Sequence, residues 1–155
     1  MFLTFLEWLR STALAKAIIE MRWSMPIFLT FHAIGMTLLI GTIIIVSLRL
    51  LGLLMPRRPV PEIAEELWRW SLLGIAIMLT SGLLLFFPET LRWYHSGAFR
   101  VKMAFLFTAI LFHFTIYRKI TQGNEVSSFT YRLCGVLTLL LWCGVGFGGR
   151  ALTFE

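Results

Sequence analysis

The sequence predicts an all-α integral membrane protein, a four-helix bundle preceded by an amphipathic helix lying in the membrane interface. Three observations carry that expectation. Of 155 residues, 58% are hydrophobic and only 14% are charged, whereas a soluble domain carries about 25% charge. Four apolar runs are each long enough to cross a bilayer, or nearly so, which takes roughly 20 residues at about 1.5 Å rise. The charges gather at the ends of those runs. A soluble chain of this length could not hide so much apolar surface behind so few charges. Composition therefore excludes a soluble enzyme, a disordered tail and a nucleic-acid reader, and leaves a single membrane domain over residues 1–155.

The N-terminal segment, residues 1–22, contains FLEWLRSTALAKAIIE. Glu7, Arg10, Lys16 and Glu20 fall among apolar residues at a spacing that reads as one interfacial helix from Phe2 to Glu20. A cleaved signal peptide would start basic and run into an uninterrupted apolar centre, and Glu7 breaks that pattern. The first span covers residues 26–55. It is over-long, so it tilts or projects past the bilayer. Pro56, Pro59 and Pro61 with Arg57 and Arg58 end it in a basic turn. Pro61 then opens the next segment, with Glu62, Glu65 and Glu66 near a helix N-terminus.

The second span covers residues 67–87 and stops at Pro88. ETLRWYHSGAF reads as a loop with Trp93 and Tyr94 at the interface. The third span, 101–117, is short, and Arg100, Lys102, Arg118 and Lys119 snorkel from its ends. TQGNEVSS is a polar turn, and the fourth span covers residues 133–149. Short connections make consecutive helices antiparallel neighbours. Arg49 lies inside the first span, where it snorkels or pairs with a glutamate.

The net charge of +6, from fourteen Lys and Arg against eight Glu, does not indicate nucleic acid. The cations sit at span ends, beside head-group phosphates. Seven fall toward each side. The short Arg57–Arg58 and Arg118–Lys119 turns favour the cytoplasmic face, which puts both termini on the non-cytoplasmic side of a bacterial cell membrane. Cys134 and Cys143 share one helix, roughly 13 Å apart, too far for a disulfide. There is no phosphate loop, CxxC or HExxH.

An ionisable residue inside a span is a functional hypothesis in its own right. His32 lies about two turns into the first span, and His113 about thirteen residues into the third. Antiparallel order gathers His32, Arg100, Lys102 and Arg150 toward one face, with Thr80, Ser81, Trp142 and Cys143 at about the depth of His32. A buried imidazole under a rim of cations suits haem b. Its iron takes a neutral imidazole, its ring apolar walls and its propionates interfacial cations. His32 is the expected axial ligand. Lys102, Arg100 and Arg150 are propionate partners or, for Lys102, a second ligand. His113 is a candidate second ligand, although its depth differs from that of His32 by roughly 10 Å. Alternatively each histidine simply hydrogen-bonds a neighbouring Ser or Thr. Copper has less support, because two His come without a Met or Cys array. Gly35, one turn beyond His32, admits either a flat ring or another helix, and Gly144 with Gly148 forms a GxxxG pair.

The strings FHAIGMTLLIGTIIIVSLRLLGL, LTSGLLLF, AFRVKMAFL and LWCGVGFGGRAL resemble an uncharacterised bacterial family of small four-helix membrane proteins over nearly the whole chain. More distantly, the chain resembles the copper-resistance D-type membrane domain and the haem-binding protoporphyrinogen oxidase family of bacteria. That oxidase family uses a His early in one helix and a Lys at the start of a later one, and His32 and Lys102 match by position. The chain departs from it in lacking an aromatic-His tail and in having Ala76 where the family has Pro. The resemblance implies haem binding. Together these readings predict a small electron-transferring subunit of a redox assembly, partnered by lipid and by other membrane subunits, a cytochrome or a quinone. The alternatives are a cofactor-free accessory subunit and a protoporphyrinogen oxidase-like enzyme.

Overall fold

The computed structural model describes residues 2–123 and 126–152. Asn124 and Glu125, within the expected polar turn, lie outside the described residues, as do residues 1 and 153–155. The N-terminal segment forms two helices rather than one, α1 (Phe2–Ser11) and α2 (Ala13–Glu20). The break falls at Thr12, whose backbone is extended and whose Oγ1 accepts the Ala15 N–H at 3.4 Å. An N-cap residue of this kind restarts a helix rather than continuing one. Ser24 ties this segment to the first span, its Oγ lying 2.6 Å from the Ile18 carbonyl oxygen and 2.8 Å from that of Met21.

The first span, α3 (Ser24–Leu50), is shorter than expected at its C-terminal end. Gly52 adopts φ +80°. The Leu53 N–H donates to Leu48 O at 2.9 Å, and the Gly52 N–H to Arg49 O at 3.0 Å. This is a Schellman stop, and it uses a glycine because the left-handed conformation disfavours a Cβ. The second span, α4 (Val60–Phe86), starts earlier than expected because Pro61 sits comfortably in a first helical turn. The expected loop at residues 89–99 contains a short helix, α5 (Thr90–His95).

The third span begins as α6 (Gly97–Phe112), capped by Ser96 Oγ on Phe99 N at 2.9 Å. It passes through a π-helical turn at His113–Tyr117 and ends as α7 (Arg118–Gln122). Together these make 26 helical residues, so the span is not short. The fourth span is α8 (Ser128–Ala151), with Ser127 as its cap. All four spans are long and apolar enough to cross a membrane. Phe107, Phe129 and Phe147 are each more than 70% exposed on their outer faces, as residues bathed in lipid would be. The all-α membrane bundle follows.

Packing sets the order of the ring. α3 and α4 are the closest pair, touching backbone to backbone. A Cβ on Gly35 would lie 2.7 Å from Met78 N, and one on Gly74 would lie 2.8 Å from Leu39 N. Gly35 therefore admits a helix, not a flat ring. On α8, a Cβ at Gly144 would run into the Phe105 ring, and one at Gly148 would lie 3.0 Å from Lys102 Cβ. The GxxxG pair thus packs inside the bundle, against α6. The helices form the sequence α4–α3–α8–α6, and the backbones of α4 and α6 stay apart along most of their length. Two core layers fill the interior, one around Leu39, Met78, Trp142 and Val145, the other around Val46, Ile63, Tyr117 and Cys134.

Candidate functional site

The two intramembrane histidines occupy different halves of the bundle. His32 on α3 packs over Gly82 of α4, where an added Cβ would lie 3.2 Å from its Cε1 and 3.4 Å from its Nδ1. Its Nδ1 lies 3.0 Å from the Met78 carbonyl oxygen and 3.1 Å from Ser81 Oγ. A carbonyl oxygen can only accept, so Nδ1 carries the hydrogen. The Ser81 hydroxyl lies 2.6 Å from the Ile77 carbonyl, to which it donates. The neutral ring therefore has its lone pair on Nε2, which makes no hydrogen bond among the described residues. A backbone-oriented imidazole with a free Nε2 is the usual state of a metal-ligating histidine.

Cations converge on the same end. Lys102 of α6 is half-buried, its stem lying against Gly148, and a Cβ at Gly149 would be 3.7 Å from its Nζ. Arg100 is exposed one helical turn from the α6 start. Arg150 is exposed on the last turn of α8, where it has an interaction partner of its own. Arg92 is engaged by Glu89 at 3.1 Å and stacks on Trp93 at 5.0 Å. His32, Lys102 and the glycines of α4 and α8 thus bring all four spans together at one end.

His113 is elsewhere. It is 1% exposed, and its Nε2 lies 3.0 Å from Ser71 Oγ. Its ring is stacked on Trp68 at 5.3 Å and on Tyr117 at 4.7 Å. Ser71 and Ser81 are ten residues apart on α4, which is about 15 Å along the axis. The two imidazoles are therefore separated by about that depth and do not face one iron. Trp142, expected near His32, instead meets His113 edge-on at 6.2 Å. Gly146 of α8 lies beside Met36 of α3, where an added Cβ would be 3.6 Å from the Met36 methyl, so Trp142 sits deeper in the bundle than His32.

The aromatic enclosure of His113 went unread in the sequence, as did the π turn that carries it. Nδ1 of His113 and Oγ of Ser47 are buried without a hydrogen-bond partner among the described residues. A small cavity of ≈ 10 Å³ is lined by Thr42, Trp68, Ser71 and Tyr117, about the room one water needs. Arg118 caps the stack 4.0 Å over Trp68 and pairs with Glu65 at 3.0 Å. No group of three or more His, Cys, Asp or Glu able to hold a bare metal ion occurs among the described residues.

No curated protein and no solved structure matches the chain. A family of unknown function, DUF6644, matches residues 5–155, which is nearly the whole chain and includes every residue described above from Leu9 onward. The chain belongs to this family of unknown function.

Proposed function

We propose that the protein binds haem b within the membrane and transfers electrons as a small subunit of a larger redox assembly in the bacterial cell membrane, its termini on the non-cytoplasmic side. The observation that carries this reading is the free Nε2 lone pair of His32, held inside a span by a backbone carbonyl on Nδ1. The residues present fit the group. His32 offers the axial nitrogen. The Gly82 face leaves the imidazole uncrowded, and the separation of α4 from α6 leaves a seam with few backbone contacts beside it. Lys102 and Arg100 offer cations for propionates at the membrane edge, with Arg150 nearby on α8. Bound there, haem b supplies a one-electron couple. The Met78 carbonyl fixes the tautomer and raises the basicity of Nε2, and the apolar helices exclude water from the ring. His113 plays no part at this centre.

Membrane-extracted protein should show a Soret band that disappears in His32→Ala and survives in His113→Phe. A colourless preparation would refute the proposal. A second reading, tetrapyrrole oxidation of the kind carried out by the protoporphyrinogen oxidases, rests on the same pairing of Lys102 with His32. It requires turnover of protoporphyrinogen that depends on both residues.

A further inference from the structure

At the opposite end of the bundle from His32, the end of α3 and the starts of α4 and α8 enclose a cleft of ≈ 400 Å³. That lies within the roughly 300–1,000 Å³ range of small-molecule sites. Arg49, Pro59, Val60, Ser128 and Tyr131 line it. Arg49 stands in the last turn of α3 and is half-buried. Its Nε donates to the Arg58 carbonyl oxygen at 2.8 Å, not to a glutamate. That bond fixes the guanidinium plane and leaves the two terminal nitrogens unbonded among the described residues. The nearby carboxylates among the described residues are engaged elsewhere. Glu62 and Glu66 pair with Arg58, and Glu65 with Arg118 and Gln122. Among the described residues Arg49 therefore has no carboxylate partner, and its terminal N–H groups are available to an anion.

The cleft is shaped for one. Val60 and Ser128, both on its wall, are the first residues of α4 and α8, so the positive ends of two helix dipoles add to the arginine. The Tyr131 hydroxyl donates to the Gly123 carbonyl at 3.0 Å, leaving its oxygen lone pairs but no proton toward a ligand. The whole site sits at the end of the bundle where the four spans terminate, and span ends border the head groups of a bilayer. A planar guanidinium binds phosphate through two parallel N–H bonds.

We propose that the Arg49 cleft binds the phosphate group of an anionic phospholipid headgroup, independently of anything bound at His32. Native mass spectrometry of the detergent-solubilised full chain tests this, titrated separately with phosphatidylglycerol, phosphatidylcholine and inorganic phosphate. Wild-type protein should retain one phosphatidylglycerol more tightly than phosphatidylcholine. Arg49→Gln should weaken that adduct about tenfold, the loss expected of one charge-assisted hydrogen-bond pair. Arg57→Gln, an exposed cation of the same turn, should leave it unchanged. Ser128→Phe, which fills the cleft and keeps Arg49, should reproduce the loss even where Arg49→Gln impairs folding. Inorganic phosphate competing at millimolar concentration, with phosphatidylglycerol not retained, would keep the phosphate site and assign it a soluble ligand. Retention of phosphatidylglycerol at wild-type strength in both Arg49→Gln and Ser128→Phe would overturn the proposal.

Discussion

Replacing Gly74 by Ala tests whether the closeness of α3 and α4 holds the bundle and the His32 ring together. A Cβ at Gly74 would lie 2.8 Å from the Leu39 nitrogen, 2.9 Å from Leu39 Cβ and 3.0 Å from the Gly35 carbonyl oxygen. Two of these atoms are backbone and the third is rigidly attached to it. No rotamer relieves the contact, so the helices must move apart by several tenths of an ångström. Overpacking of this kind costs about 1–3 kcal/mol. The better helix propensity of Ala returns up to about 1 kcal/mol, so the net loss is about 0–2 kcal/mol, with the centre near 1. At about 2–4 °C per kcal/mol for a chain of this size, the melting temperature in detergent should fall by roughly 2–4 °C, followed by circular dichroism. Gly74→Leu, with no further propensity gain and more volume, should fall well below Gly74→Ala. Gly82→Ala is the control. Its Cβ meets only the His32 ring, at 3.2 Å, and a side chain can yield, so its loss should stay under about 1 kcal/mol. If Gly74→Leu melted with the wild type, the helix contact would not be what holds these two spans, and the reasoning would fail.

Ser71→Ala leaves the His113 Nε2 unpartnered in a buried setting and should destabilise the protein by about 1–3 kcal/mol, while Ser71→Ala combined with His113→Phe should recover much of that loss. Thermal melts of the three variants decide it. Trp68→Leu removes both the stack on His113 and the ring under Arg118, and should cost about 1–3 kcal/mol, read in the same melts. Glu65→Gln breaks an exposed pair with Arg118 and should change stability by less than about 1 kcal/mol. A larger effect, insensitive to added salt, would show that the Glu65–Arg118 pair is shielded from water.

The four spans were legible because transfer into lipid needs only length and apolarity, and both are written locally in the chain. Their ends were less so. Residues 51–55 continue the apolar run, so hydropathy extends the first span through them, yet Gly52 turns the chain left-handed and stops α3 at Leu50. The glycine followed by Leu was the available signal. His32 and Ser81 were placed at one depth by antiparallel counting, and they do meet. Trp142 was misplaced because counting from span ends ignores the register between helices, and it is Gly146 of α8 that lies beside Met36 of α3. The π turn at His113–Tyr117 has no local marker, being a tertiary adjustment that lets His113 and Tyr117 share one stack. The glycines showed that something approaches closely. Whether that neighbour is a ring or a helix is decided by partners distant in sequence.

The two histidines share a residue type, a membrane setting and a serine partner on α4, and the difference between them lies in which nitrogen is engaged. Ser71 and Ser81, ten residues apart, point roughly 80° apart around the α4 axis, one toward the π turn of the third span and one toward α3. At His113 the serine takes Nε2, and the rings of Trp68 and Tyr117 both stack on the imidazole. Its other nitrogen, Nδ1, is unbonded among the described residues but fully buried, so a ligand there would have to open the packed core around it. At His32 the backbone carbonyl takes Nδ1, and the remaining nitrogen stays unbonded among the described residues, on a ring that is half-buried rather than fully enclosed. Exchanging the hydrogen-bond pattern tests this directly. Ser81→Ala should leave the Met78 bond and the free Nε2 in place and preserve any Soret band. A Gly82→Phe ring, by contrast, would cover His32 as Trp68 covers His113 and should abolish the band while the protein remains folded by circular dichroism. Retention of the band in Gly82→Phe would place the chemistry of this protein away from His32.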